Sequence, residues 1–255
     1  MTNRLTILLA VAGLLLVFNG VIYFTASNEA ITGAPPYGEF ESEIPNLDPY
    51  AWVKNWKRPD GPARVGLQVG HWGSKDFPDE LAKLRNNTGA TGGGIAEWEV
   101  NKKIAEETAA MLEKEGVIVD ILPATVPVSY QADLFVAIHA DGSEDTRKSG
   151  FKLASPWRDY TGNSAEIVRI IEEEYAQATG LEKDPNITRN MRGYYAFSWW
   201  KYEHSVHPAT TSLIIETGFL TNSSDRRLLF TNPEVPAGAI SKGILIYLNN
   251  KGLTN

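Results

Sequence analysis

Between residues 64 and 248, short runs of β-branched and apolar residues alternate with longer stretches patterned at helical period, and this rhythm limits the chain to few architectures. Residues 64–69, 117–122, 134–139 and 213–216 read as strands. Residues 98–114, 164–179 and 237–248 read as helices. Val100, Ile104, Thr108, Met111 and Leu112 share one stripe of the first; Ile167, Ile171 and Tyr175 share one stripe of the second; Ile240, Ile244 and Leu248 repeat at helical spacing in the third. Gly116 and Gly180 stand where the first two helices should stop. The alternation predicts a single α/β domain with a mostly parallel sheet flanked by helices, and no internal repeat is visible.

The domain does not account for the whole chain of 255 residues. Residues 5–26 are nearly uninterruptedly apolar, with Asn19 and Thr25 the clear polar exceptions, and are long enough to span a bilayer as a helix. Arg4 and the terminal amine precede this run, and no Lys or Arg follows until Lys54, so the positive-inside rule leaves the N-terminus in the cytoplasm and the remainder outside. Residues 1–26 are therefore expected to form a single-pass anchor. Thr25-Ala26-Ser27 also offers a small-residue cleavage site, and cutting there would release the domain as a secreted protein. Residues 27–61, with Pro35, Pro36, Pro45, Pro49 and Pro59, read as an extended linker, and residues 62–255 as the folded domain.

Charge and cysteine usage narrow the function. A net charge of −7 with no basic patch argues against nucleic acid as a partner. Cysteine is absent, so a disulfide framework and a thiolate metal site are both excluded, and any bound metal must use His, Asp or Glu.

Four side chains meet that condition. His71 follows the first strand in Val69-Gly70-His71-Trp72-Gly73, Glu97 opens the first helix, His139 ends the strand 134–139, and Glu216 ends the strand 213–216. Ligands in open α/β sheets gather outside the carboxyl ends of the strands, so these side chains can converge at little cost. Two imidazoles and a carboxylate can hold Zn2+ with a position open for water, and a further carboxylate can act as the base. Those are the parts of a zinc hydrolase. Glu216 follows Leu213-Ile214-Ile215, where a carboxylate is costly unless paired or functional.

Other features admit two readings each. His204 and His207 precede the last strand and either meet substrate or are surface histidines; Asp141 either orients a ligand imidazole or begins a turn. The aromatic segment from Tyr194 to Tyr202 either lines a glycan cleft or packs the core. Gly92-Gly93-Gly94 lacks the following Lys and Ser/Thr of a phosphate loop and reads as a turn that delivers Glu97.

The settings of the four residues, from Gly70-His71 through Glu97 and Ile138-His139-Ala140 to Glu216-Thr217-Gly218-Phe219-Leu220-Thr221-Asn222, resemble the zinc-dependent N-acetylmuramoyl-L-alanine amidases over about residues 64–248. The resemblance implies an α/β domain around a twisted sheet, His71, Glu97 and His139 as zinc ligands, and Glu216 as the catalytic glutamate. Glu97, four residues before Asn101, matches the family ligand better than Glu99 does. The implied substrate is peptidoglycan, cut between N-acetylmuramic acid and L-alanine of the stem peptide. The chain departs from the family pattern at Gln68-Val69, Trp72 and Asp141, where Asp-Pro, Gly and Asn are usual. Two other functions fit the same residues, a zinc carboxypeptidase or related peptidase and a catalytically silent peptidoglycan-binding module. The sequence points to no particular activator protein.

Overall fold

Helix and strand alternate along the chain in the computed structural model, which describes residues 51–254. In order these are α1 (Ala51–Lys54), β1 (Arg64–Val69), β2 (Thr91–Gly92), β3 (Ile95–Ala96), α2 (Glu97–Lys114), β4 (Ile118–Leu122), β5 (Leu134–Asp141), β6 (Lys152–Ala154), α3 (Ser164–Thr179), α4 (Arg189–Arg192), β7 (Thr211–Phe219), α5 (Ser223–Thr231) and α6 (Glu234–Asn250). The apolar run 5–26 and the linker as far as residue 50 lie outside the described residues. Among the described residues no helix is long and apolar enough to cross a membrane.

Five strands form one sheet in the order β4-β1-β5-β7-β6. The first four are parallel, and β6 closes the edge antiparallel to β7. Strand side chains alternate between faces. Val65, Leu67, Val69, Leu134, Val136, Ile138, Leu213 and Ile215 enter a core shared with Val100 and Ile104 of α2, Ile167 and Ile171 of α3, and Ile240 and Ile244 of α6. Leu67, Ile138 and Leu213 are fully buried there, each contributing about 1.5–3 kcal/mol. Phe135, Ala137 and Ile214 point the other way, into a second core supplied by Met191 of the short helix α4 and by Val126, Ala196 and Phe197 of the connecting segments. The three long helices thus share one face, and loops cover the other.

Where boundaries differ from the sequence reading, the reason is local. The last strand extends from the expected 213–216 to Thr211–Phe219, because polar Thr211 and Ser212 show no apolar signal yet pair with Leu134 and Phe135, and Phe219 pairs with Asp141 beyond a register shift. Helix α6 starts three residues early, with Pro236 in its first turn, where a missing N–H is harmless. Helix α5 was not expected; Asn222 nucleates it by accepting from the N–H groups of Ser224 and Asp225. Gly180 ends α3 at φ 68°, as its position suggested.

Residues 51–61, expected within the linker, belong to the same compact unit as the sheet. The Trp52 ring lies 5.6 Å from Trp199 and 5.4 Å from His207, and Arg58 reaches Asp133 through Nε at 2.5 Å and Nη2 at 3.0 Å. Proline content marked this segment as irregular but carried no sign of these anchoring contacts.

Candidate active site

The sheet reverses its winding at β1, whose parallel neighbours are β4 on one side and β5 on the other. A crevice forms outside the strand ends at such a point. His71 leaves the end of β1 and His139 lies near the end of β5. The β2–β3 hairpin turns through Gly93 and Gly94, at φ 60° and 80°, and delivers Glu97 as the first residue of α2. Glu216 stands on β7 directly opposite His139, just before a register shift that breaks regular pairing of β5 and β7. Because Glu216 and His139 have the parity of Phe135 and Ile214, both project on the loop-covered face.

Ligand atoms of His71, Glu97 and His139 lie within 4.8 Å of one another. Together with Glu216, Asp141 and backbone around Ala90, Ala140 and Gly142, they border a cavity of about 370 Å³. All four residues singled out from the sequence therefore meet at one cavity. Close approach is built into the backbone: a Cβ on Gly70 would fall 2.5 Å from His139 Cε1, so only glycine there leaves room for the imidazole. His71 itself holds φ 65°, a strained conformation of the kind that concentrates at functional sites.

Glu97 is buried and heavily bonded. Its Oε2 accepts from Ala90 N–H at 2.7 Å, and its Oε1 from Ala140 N–H at 3.1 Å and Asn101 Nδ2 at 3.2 Å. His139 Nδ1 lies 2.9 Å from Oε1, and His71 Nε2 lies 3.5 Å from Oε2. Burial alone would raise the Glu97 pKa, but the His139 hydrogen bond, both imidazoles and the Ala90 N–H outweigh it and keep the carboxylate ionised. Glu99, the nearby alternative, instead accepts from Ala96 N–H at 2.9 Å and caps the helix.

Hydrogen bonds also fix how the imidazoles face. His71 Nδ1 lies 2.9 Å from the Asn87 carbonyl, which can only accept, so Nδ1 carries the proton and Nε2 turns a lone pair toward Glu97. For His139 the orientation is set by a relay. Gln68 Nε2 donates to Ala124 O at 2.8 Å, which leaves Oε1 to accept from Tyr194 Oη at 2.9 Å. Tyr194 oxygen is then the acceptor for His139 Nε2 at 3.3 Å, and Nδ1 faces the cluster. Burial lowers the His71 pKa and favours the neutral, metal-binding form. Burial would likewise lower His139, but Glu97 more than offsets it and the net shift is upward, so a proton sits between this pair when no metal competes.

These observations fit a metal ion. Two imidazoles with directed lone pairs and one ionised carboxylate form a borderline N/O donor set, and the buried negative charge calls for a cation. We expect Tyr194→Phe, which deletes the acceptor for His139 Nε2–H, to weaken metal binding about tenfold, as loss of a supporting hydrogen bond does elsewhere. Competition with a chromophoric chelator measures this, and unchanged affinity would remove Tyr194 from the site.

Glu216 keeps an opening onto the cavity although protein packs closely around it. Burial is the main cause that pushes its pKa up to about 8, with Glu97 and Asp141 adding to the rise and His139 and Lys152 opposing it. In metal-free protein a folded pKa above the unfolded value of about 4.5 makes the neutral acid the favoured form. Its contribution is complete below about pH 4.5 and is lost as pH rises through about 8. Urea midpoints of metal-free Glu216→Gln and parent protein should therefore diverge between about pH 5 and about pH 9, the parent losing more stability. Parallel curves would refute the shift.

The remaining sequence candidates lie elsewhere or act otherwise. Asp141 borders the cavity but orients neither imidazole; it pairs with buried Lys152 Nζ at 2.5 Å, and that ammonium also reaches Asp184 at 3.1 Å. His204 is tied to Glu80 at 2.7 Å, and His207 stacks near Trp52 and Trp56 at ring distances of 5.4 and 6.0 Å; neither borders the cavity. Within the aromatic segment only Tyr194 contacts a member of the cluster, while Tyr195 and Phe197 pack the second core. Trp72 packs beside the helical core with Lys102 Nζ 5.0 Å from its ring centre.

Comparisons with known proteins concur on the fold. A family model described as N-acetylmuramoyl-L-alanine amidase matches residues 65–245. The chain is 27% identical over 151 residues to the N-acetylmuramoyl-L-alanine amidase LytC of Bacillus subtilis (strain 168), a match covering 54% of this chain and 28% of that protein. The chain thus spans little more than a quarter of the length of that curated relative. Among solved structures it is similar to the CwlD amidase of Clostridioides difficile, determined in complex with the GerS lipoprotein, at TM-score 0.52 and 21% identity over 74% of this chain and 99% of that one. It is also similar to the N-acetylmuramoyl-L-alanine amidase AmiC2 of Nostoc punctiforme, at TM-score 0.52 and 22% identity over 75% of this chain and 99% of that one. At such identities the two structures share the fold.

Proposed function

The chain belongs to the N-acetylmuramoyl-L-alanine amidase family, and from that premise we propose that it hydrolyses the amide between N-acetylmuramic acid and L-alanine in peptidoglycan, using zinc held by His71, Glu97 and His139. The observation that carries this reading is the meeting of those three ligands, drawn from β1, α2 and β5, beside Glu216 in one cavity. Bound there, zinc supplies Lewis-acid chemistry. Glu216 takes one proton from the attacking water as its oxygen bonds to the lactyl carbonyl carbon. The carbon–nitrogen bond then breaks, and Glu216 returns the proton to the departing L-alanine amine. A carboxylate raised toward neutral pH suits both transfers. The relay through Gln68 and Tyr194 and the Asn87 carbonyl hold the imidazoles in their ligating tautomers, and the pleat of β7 turns Glu216 to the same face as His139.

Digestion of purified peptidoglycan with the zinc-loaded protein, followed by mass spectrometry, tests this. New free amino groups on L-alanine support the amidase. Loss of residues from the far end of the stem peptide would make it a peptidase, and binding without products a silent module; either result overturns the proposal.

Residues 5–26 serve in this reading as an uncleaved single-pass anchor, with the domain outside the cytoplasmic membrane. The length of the apolar run and the placement of Arg4 and Lys54 support it. Retention of the full-length chain in membranes after alkaline carbonate washing is expected, and recovery of a shortened soluble form would reject it.

A further inference from the structure

The two ends of the sheet differ in kind. The cavity lies where the parallel strands finish. At the opposite end, where β1, β4, β5 and β7 begin, the surface carries a band of exposed aromatic and cationic side chains. Trp52 and Trp200 are 49% and 46% exposed, and Ile118, the first residue of β4, is 38% exposed.

The aromatic members are contiguous. Trp52 meets Trp199 at 5.6 Å between ring centres, Trp199 meets Trp200 at 6.0 Å, and Trp199 also borders a crevice with Thr210 and Ser212 at the start of β7. Exposed Arg158 lies 4.3 Å from the centre of the Trp200 ring. Asp159, the acid nearest this band in sequence, is occupied in accepting from the N–H groups of Thr161, Gly162 and Ser164. Stacked Trp and Arg with exposed flat faces are unusual for a surface in contact with water alone. They suit a bilayer interface, where indole rings sit at headgroup level and guanidinium groups meet anionic phosphates.

We propose that this band docks on the anionic outer surface of the cytoplasmic membrane, so that the catalytic cavity at the far end of the sheet points away from the bilayer toward the wall. The occupant follows from chain continuity: residues 1–50 carry the apolar run 5–26 and join the described structure at Ala51, beside Trp52. The inference rests on the anchored reading given above. It assigns the exposed tryptophans to orientation, and it separates them from substrate, because a glycan held at the strand ends lies at the other end of the sheet.

Tryptophan emission tests this directly, since all seven tryptophans lie beyond residue 50. The full-length chain is inserted in nanodiscs of phosphatidylglycerol and phosphatidylcholine whose acyl chains are brominated near the headgroup, with unbrominated discs as reference. Emission is expected to fall by about a third, the share of a few interfacial indoles among seven. The combined substitution Trp52→Phe and Trp200→Phe should remove most of that fall, and Trp200→Glu should lift the remaining rings off the bilayer.

A chain that enters the discs yet shows no quenching overturns the docking while leaving the anchor intact. A chain that fails to enter discs overturns the anchor instead; the same protein is then mixed with brominated phosphatidylglycerol vesicles, where quenching still supports the surface and its absence rejects it. Dimers broken by Trp200→Glu, or an emission shift caused by wall glycan fragments, without quenching by lipid, would assign the band to a second copy or to glycan and reject the membrane.

Discussion

Glu216→Gln should lower amide hydrolysis about 10³-fold while leaving zinc content unchanged, because the substitution keeps the volume and removes only the proton acceptor. No direct contact from Glu216 to the three ligands is needed for their arrangement: His71 is oriented by Asn87, His139 by Tyr194, and Glu97 by Ala90, Ala140 and Asn101. Glu216 instead sits across from His139 in register and opens on the shared cavity. Burial pushes its metal-free pKa to about 8, and a cation held by the three ligands would favour the carboxylate, so the loaded enzyme should gain activity with pH through a lower value. The variant's residual rate should lack that acidic limb. Retention of more than about a tenth of the parent rate would dismiss Glu216 as the base, given the usual 10²–10⁴-fold worth of such a group. Loss of zinc together with the rate would make it a ligand.

The parts of this site legible in the sequence share a cause. His71, His139 and Glu216 follow apolar runs that read as buried strands, so their positions beyond or toward the carboxyl ends of those strands followed from the strands. Glu97 followed from its helix. The other contributors left no such mark. Tyr194 comes from a segment without period and meets Gln68 across 126 positions, and the amide of Gln68 is visible only as a polar residue inside a strand. Lys152 belongs to a strand of three residues, too short to announce itself, although a lysine between Phe151 and Leu153 does alternate in the way an edge strand requires. Asp141 looked equally suited to an imidazole or to a turn. The lysine that claims it stands on a different strand, and nothing in local sequence reveals a cross-strand partner. The loop-covered face was likewise hidden, since Phe197 and Met191 pack there without helical spacing.

Removing the Glu97 carboxylate should have two separable effects. As one of three protein ligands it carries a share of a zinc affinity that for complete protein sites is about 10–16 kcal/mol, so Glu97→Ala should weaken binding by about 10³-fold or more. Alanine also strips the acceptor from Ala90 N–H, Ala140 N–H and Asn101 Nδ2 in a buried place. Each donor left unpaired costs about 1–3 kcal/mol, and the metal-free variant should unfold at markedly lower urea. Glu97→Gln divides the two. Its amide oxygen can still accept, which restores part of the stability, but it brings no charge to balance a divalent cation and turns a donor toward one of the groups that needs an acceptor. Zinc binding by Glu97→Gln should therefore stay close to that of Glu97→Ala while its urea midpoint moves back toward the parent. If Glu97→Gln holds zinc as tightly as the parent does, the carboxylate serves the helix start and the β5 backbone rather than the metal. The site would then have to be rebuilt around the two histidines alone.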